Sequence, residues 1–158
     1  MSMFSPAALQ AARVSIEASQ RALVVSTALQ WVGTPYHHAA CVKGAGVDCA
    51  MFPFAVYKDA HMIPAFEVPY YPNDWHIHNN DERYLDTVVT WAREVEEPTG
   101  PGDFVLMKYG RCYAHGAIIT DWPFVVHSMM ISGVVRDDAT NGRMRNKDKR
   151  FFTLWGRE

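Results

Sequence analysis

Missing from this sequence are a basic excess, a membrane-length apolar run and an even set of cysteines, and each absence removes a class of protein. With 15 Lys and Arg against 17 Asp and Glu, the formal charge is -2. The broad positive field that attracts nucleic acid is absent, and nucleic acid is not an expected partner. No uninterrupted apolar stretch approaches the roughly 20 residues that a membrane helix needs, so no membrane insertion is expected. Residues 1–20 lack the basic stretch, apolar core and small-residue cleavage site of a secretory leader, which predicts cytoplasmic synthesis without a signal peptide. The three cysteines, Cys41, Cys49 and Cys112, leave at least one thiol unpaired, and a domain of this size does not depend on disulfides.

What is present is ordinary globular material: 158 residues, 49% hydrophobic and 20% charged, enough for one domain with its own core. Ser5-Pro6 is a helix start, with a hydroxyl cap and proline at the first helical position, and Gly33 is a stop. Val24, Ala28, Trp31 and Val32 recur at helical spacing between them, so the helix is expected to end at Trp31 or Val32, with residues 1–20 a helical extension. Pro35 and the glycines of 33–46 predict a loop. Asp48 is a candidate cap for a second helix reaching about residue 61, which puts Cys49 in its first turn. Pro53 predicts that this turn is irregular or that the helix starts later. Residues 63–80, with three prolines and Tyr70, Tyr71, Trp75, His76 and His78, form an aromatic inserted loop. Asn80 or Asp81 then caps a helix with Tyr84, Leu85, Val88 and Trp91 on its apolar side.

After the breaker at 98–102 the pattern changes to strands at 103–109, 112–120 and 124–129, with lesser candidates at 133–136 and 151–155. Helices first and sheet afterwards indicate an α+β domain, N-terminal helices packed on a C-terminal antiparallel β-sheet, spanning 1–158 without repeats.

A cysteine at a helix N-terminus gains thiolate character from the helix dipole and unbonded N–H groups. An imidazole to take its proton and a polar group to orient that imidazole complete a nucleophilic site. His115 and His127 are candidates for these two roles. Side chains alternate along strands, so whether the two histidines share a face depends on the turn between them. A three-residue loop at Asp121-Trp122-Pro123 pairs Ala117 with His127 and sets His115 diagonally beside it, roughly 7–8 Å away at the backbone. A two-residue loop puts them on opposite faces.

The blocks ALQWVGTPYHHAA, GAGVDCAMFPFAVY, PGDFVLM, YAHGAIIT and FVVHSM, in this order over residues 24–136, resemble the NlpC-type cysteine peptidases of bacterial cell walls. That resemblance implies a papain-like fold and a peptidoglycan endopeptidase with no cofactor and no metal. It implies Cys49 as nucleophile, His115 as base and His127 as the orienting partner. Tyr36 is implied to assist the Cys49 N–H at the scissile group or its oxyanion, and Asp48 to face the substrate amine. The expected reaction is hydrolysis of a stem-peptide amide, between D-glutamate and the diamino acid, through a thioester. Ala50 and Met51 stand where the family has serine and glycine, and Pro53 is unusual in its nucleophile helix. The aromatic loop with DERYL resembles a subset encoded by phages and prophages with tail modules, which implies phage tail proteins as partners and a virion-associated location.

Three rival readings come from the same residues. The thiol and histidines also suit an amidase or acyltransferase acting on another substrate, and the departures suit a catalytically weak structural tail component. His37-His38-x-x-Cys41 with Cys49, or Cys112-x-x-His115, has zinc-ligand types, although not the spacing of a standard finger or ribbon. Cys41 and Cys112 otherwise read as packing or loop residues, and Arg143, Arg145, Lys147, Lys149 and Arg150 as a solvated basic surface.

Overall fold

The structure, a computed structural model, describes residues 3–66, 71, 72, 74 and 82–156. Helix α1 runs Pro6–Gln30; the Ser5 side chain accepts from the Ala8 N–H, and Pro6 occupies the first turn. Its residues 6–16 are exposed, whereas Val24, Thr27 and Ala28 are buried. The helix is fastened to the sheet at Arg21, which bonds Asp103 Oδ1 at 2.9 Å and stacks on Trp155. Among the described residues no helix is long and apolar enough to cross a membrane.

The loop expected at 33–46 contains a short hairpin, β1 Cys41–Val42 and β2 Gly46–Val47, too brief to leave a period in the sequence. Helix α2 spans Met51–Asp59, later than a cap at Asp48 would give. Asp48 still satisfies the opening turn: its Oδ1 accepts from the N–H groups of Ala50 and Met51, and its carbonyl accepts from Phe52. Starting at Met51 places Pro53 in the first helical turn, where a missing N–H costs nothing. Helix α3 is Arg83–Trp91 with Glu82 as its cap residue; the expected caps Asn80 and Asp81 lie outside the described residues. Glu82 Oε2 instead accepts the Tyr113 N–H at 3.0 Å.

Six strands make one antiparallel sheet in the order β3-β8-β4-β5-β6-β7: β3 Arg93–Val95, β4 Phe104–Tyr109, β5 Cys112–Asp121, β6 Phe124–Met129, β7 Gly133–Asp138 and β8 Lys149–Thr153. Strand β3 has no counterpart in the sequence-based expectation, because its Arg-Glu-Val pattern is short and mostly exposed. The sheet separates two apolar clusters. The larger joins Val24, Phe52, Val56, Tyr84 and Val88 of the helices to Leu106, Ile118, Val126 and Phe152. The smaller holds Val105, Met107, Ala117, Ile119 and Val125 on the alternate strand positions, with Met144 of the Gly142–Met144 turn.

The turn between β5 and β6 corrects one expectation while keeping its consequence. Asp121 pairs with Phe124, which leaves a two-residue loop, Trp122-Pro123. The register then shifts between Ile119 and Asp121, so Thr120 is an extra residue in the strand. This bulge restores the parity that the short loop would have reversed: Ile118 faces Val126 and Ile119 faces Val125, which carries His115 and His127 to one face. A second irregularity lies between β4 and β5, where Met107 faces His115 but Lys108 faces Tyr113. Ala114 is the residue passed over.

Close backbone approaches hold this frame together. The Val134 N–H donates to the Thr34 carbonyl and the Gly33 N–H to the Val134 carbonyl, tying the 33–36 turn to β7. A Cβ on Gly133, whose φ is +71°, would stand 2.4 Å from the Thr34 oxygen. Glycine is required there for both conformation and space.

Candidate active site

A cleft of about 220 Å³ opens where the turn before α2 meets β5 and β6, lined by Tyr36, Asp48, Cys49, Tyr71, Tyr109 and His115, among others. The five residues singled out in the sequence gather here: Cys49, Asp48, Tyr36 and His115 line the cleft, and His127 lies behind His115.

Cys49 sits in the turn before α2 with its Sγ 3.8 Å from the Ala114 carbonyl, the bulged residue of β5. Burial, and next the charge of Asp48, push its thiol up to about 12; the Tyr36 hydroxyl and the N–H groups of Cys49 and Ala50 act in the opposite direction. The thiol is therefore neutral near pH 7. Any attack by it needs a base that removes the proton as the new bond forms. Iodoacetamide alkylation of Cys49, followed on its own peptide because Cys41 is also partly exposed, is expected to accelerate about tenfold per pH unit between about pH 6 and 9. A plateau on the acid side would instead mark a thiolate–imidazolium pair in the resting protein.

His115 and His127 are 6% and 0% exposed. His115 Nε2 and His127 Nδ1 are 2.8 Å apart, with the rings near perpendicular at 82°. Burial lowers the His127 pKa against the opposing pull of Asp137, which favours a neutral imidazole. A neutral His127 carries a single N–H, so the tautomer of either ring in the pair is tied to that of the other.

Tyr36 enters from the 33–36 turn, fixed by a bridge to Val47 and by the Val47 N–H donating to the Pro35 carbonyl. Burial, reinforced by the nearby Cys49 and Asp48, raises its pKa, so the hydroxyl stays a donor beside the thiol. The Ala50 N–H is committed to Asp48. The Cys49 N–H and the Tyr36 hydroxyl are therefore the donor pair available to a developing oxyanion.

Asp48 is 1% exposed and heavily bonded. Besides the helix N–H groups, its Oδ2 accepts from the Ala39 N–H at 2.8 Å and from the Tyr71 hydroxyl. His38 Nδ1 stands 3.8 Å away, while its Nε2 bonds the Tyr71 carbonyl at 2.9 Å. Tyr71 thus closes the acidic end of the cleft. Of the other aromatic-loop residues, Tyr70, Trp75, His76 and His78 lie outside the described residues.

Of the groups considered as zinc ligands, His38 meets Asp48 and Tyr71, Cys112 is a fully buried core residue, and His115 bonds His127. The basic segment is divided. Arg150 makes two 2.7 Å bonds to Glu94, Lys149 bonds the Met144 and Lys147 carbonyls, and Arg143 lines the cleft. Ala50 presents a methyl where the resembling family has a hydroxyl, and its carbonyl accepts from Tyr84 at 2.7 Å. Sequence reasoning missed the parts played by His38, Tyr71, Tyr109, Arg143 and Asp137. For Asp137 a signal existed: a tight β6–β7 turn pairs His127 with Val135 and puts Asp137 on the same face.

No protein-family model matches the chain, and no curated protein matches it significantly. Among solved structures the fold is similar to the NlpC/p60 domain of the peptidoglycan hydrolase SagA, with TM-score 0.53 and 17% identity over 82% of this chain and 96% of that one. It is also similar to a lipoprotein-like NLP/P60 family protein of Staphylococcus aureus subsp. aureus Mu50, with TM-score 0.56 and 19% identity over 84% of this chain and 41% of that one. An NlpC/P60 family protein of Bacillus cereus ATCC 10987 gives TM-score 0.54 and 20% identity over 82% and 39%. The chain spans nearly all of the first domain and about two fifths of the other two proteins. The fold is the α+β, papain-like NlpC/p60 fold.

Proposed function

We propose that this chain is a cysteine hydrolase that cleaves an amide bond in peptidoglycan stem peptides. The observation that carries the reading is the meeting, in one cleft, of a thiol, a donor pair and an imidazole backed by a second, on a fold shared with a domain of a peptidoglycan hydrolase. Fold alone does not assign chemistry; the site supplies the argument.

In this mechanism Cys49 Sγ attacks the amide carbon while its proton passes to His115. The Cys49 N–H and Tyr36 hydroxyl hold the tetrahedral oxyanion. Collapse of that intermediate forms a thioester, and His115 returns the proton to the departing amine. His115 then takes a proton from water, whose oxygen attacks the thioester, and the regenerated thiol recovers its hydrogen as the acid leaves. His127 holds the imidazole in position throughout. No cofactor enters these steps.

The motif resemblance directs the cut to the bond between D-glutamate and the diamino acid and favours phage-tail carriage as the route to the wall. An amine-facing role for Asp48 requires the substrate ammonium to displace the Tyr71 hydroxyl. Mass spectrometry of muropeptides after digestion tests the proposal. A stem peptide split into one new carboxylate and one new amine is expected; release of ammonia alone, or acyl transfer to an added amine in place of hydrolysis, would move the activity to an amidase or acyltransferase.

A further inference from the structure

The chain of imidazoles does not end at His127. Its ring is fully buried, with Nδ1 spent on His115 and Nε2 without a hydrogen-bond partner among the described residues. The atom facing that Nε2 is Asp137 Oδ2, 3.5 Å away on β7. The register explains the approach: Val135 is directly opposite His127, so Asp137 is its diagonal neighbour on the same face. The other carboxylate oxygen, Oδ1, accepts the Asp138 N–H at 2.8 Å, which orients the group.

We infer that Asp137 is a positioning residue that selects the His127 tautomer, and through it the tautomer of His115. The inference rests on the cysteine-hydrolase reading. A neutral imidazole carries one N–H. With a carboxylate facing Nε2, the proton of His127 belongs on Nε2, where it points at negative charge. Nδ1 is then an acceptor, and His115 must donate to it through Nε2–H. The lone pair of His115 is left on Nδ1, ready to receive a proton. In the opposite arrangement His127 donates from Nδ1, His115 already holds its proton on Nδ1 and has no basic nitrogen for the thiol, and a lone pair of His127 faces the carboxylate. Asp137 disfavours that arrangement by electrostatics. Its side chain is half exposed at 50%, so the role does not depend on packing.

The test is imidazole proton–nitrogen correlation NMR on the whole chain. Wild type is expected to show His127 as the Nε2–H tautomer. Asp137→Ala should move His127 toward a mixture of tautomers, and Asp137→Asn, which keeps an acceptor oxygen, should retain the Nε2–H form. On muropeptides, kcat of Asp137→Ala should fall about tenfold or more with KM unchanged, and Asp137→Asn should recover part of that loss. An unchanged His127 tautomer in Asp137→Ala, or a change confined to the melting temperature, overturns the inference. The tautomer is read without turnover. A wild type that cleaves nothing therefore counts against the hydrolase reading, whereas an unmoved tautomer counts against Asp137.

Discussion

Replacing His115 with alanine lowers amide cleavage about 10³-fold, within the 10²–10⁴ that a positioned general base contributes. The size of the loss follows from the resting state of the thiol. With Cys49 pushed up to about 12, the thiol at pH 7 is almost wholly protonated. Under the proposed mechanism, attack therefore needs a base acting as the bond forms rather than a stored thiolate. Activity remaining in the variant comes from the small thiolate fraction and should rise about tenfold per pH unit through neutrality. The measurement is initial rate against pH for wild type and His115→Ala on the same muropeptides, with melting curves to show that the fold is retained. A loss of less than about tenfold would remove His115 from the role of base.

Asp103→Ala is expected to be the most destabilising change that leaves the cleft residues in place. Its carboxylate is 0% exposed and accepts from Arg21 Nη1 at 2.9 Å, the Thr99 N–H at 2.6 Å, the Thr99 hydroxyl at 2.8 Å and the Gly100 N–H at 3.2 Å. One group thus ends the 98–102 breaker and attaches α1 to the sheet. Removing it leaves the Thr99 and Gly100 N–H groups without their acceptor and takes one carboxylate from the Arg21 guanidinium, which keeps Glu17, the Pro101 carbonyl and the Thr99 hydroxyl. Each buried donor left unsatisfied costs about 1–3 kcal/mol, and two of them together about 2–5 kcal/mol. At about 2–4 °C per kcal/mol for a chain of this length, the melting temperature should fall by about 10 °C. Arg21→Met should cost less, since the N–H groups keep their acceptor and the methionine still covers Trp155. A fall of only a degree or two in Asp103→Ala would mean that water replaces these bonds.

The helices and the three central strands were legible because their signals are local: Ser5-Pro6 for the start of α1, apolar spacing for α3, alternation for β4 to β6. Legibility ended where geometry depends on pairing. Loop length at Trp122-Pro123 alone predicts opposite faces for the two histidines, and only the extra residue at Thr120 reverses that result. A bulge is a property of two strands together and leaves no mark in one. The same limit hid β1 and β2, whose two-residue strands exist through their pairing. Cys49, Asp48, Tyr36 and His115, singled out from short motifs, line the cleft with His127 behind His115, yet the bond from Tyr71 to Asp48 joins positions 23 residues apart. No periodicity connects them. That contact also alters what can be expected of Asp48, because a carboxylate already holding a tyrosine hydroxyl and three backbone N–H groups offers little to a weakly bound amine.

The departures at Ala50, Met51 and Pro53 have physical accommodations in the fold. Pro53 falls in the first turn of α2, Ala50 is held through its carbonyl by Tyr84, and Met51 donates its N–H to Asp48. None of these bonds displaces the Cys49 thiol from the Tyr36 hydroxyl. The departures thus leave the geometry on which the proposal rests in place.

The most direct measurement is digestion of purified muropeptides by wild type and Cys49→Ala side by side, read by mass spectrometry. Wild type is expected to produce the paired carboxylate and amine fragments of a single stem-peptide cut, and Cys49→Ala to leave the peptides intact with an unchanged melting temperature. Equal cleavage by both proteins, or no cleavage by either, would contradict the assignment of Cys49 as the nucleophile of a wall hydrolase.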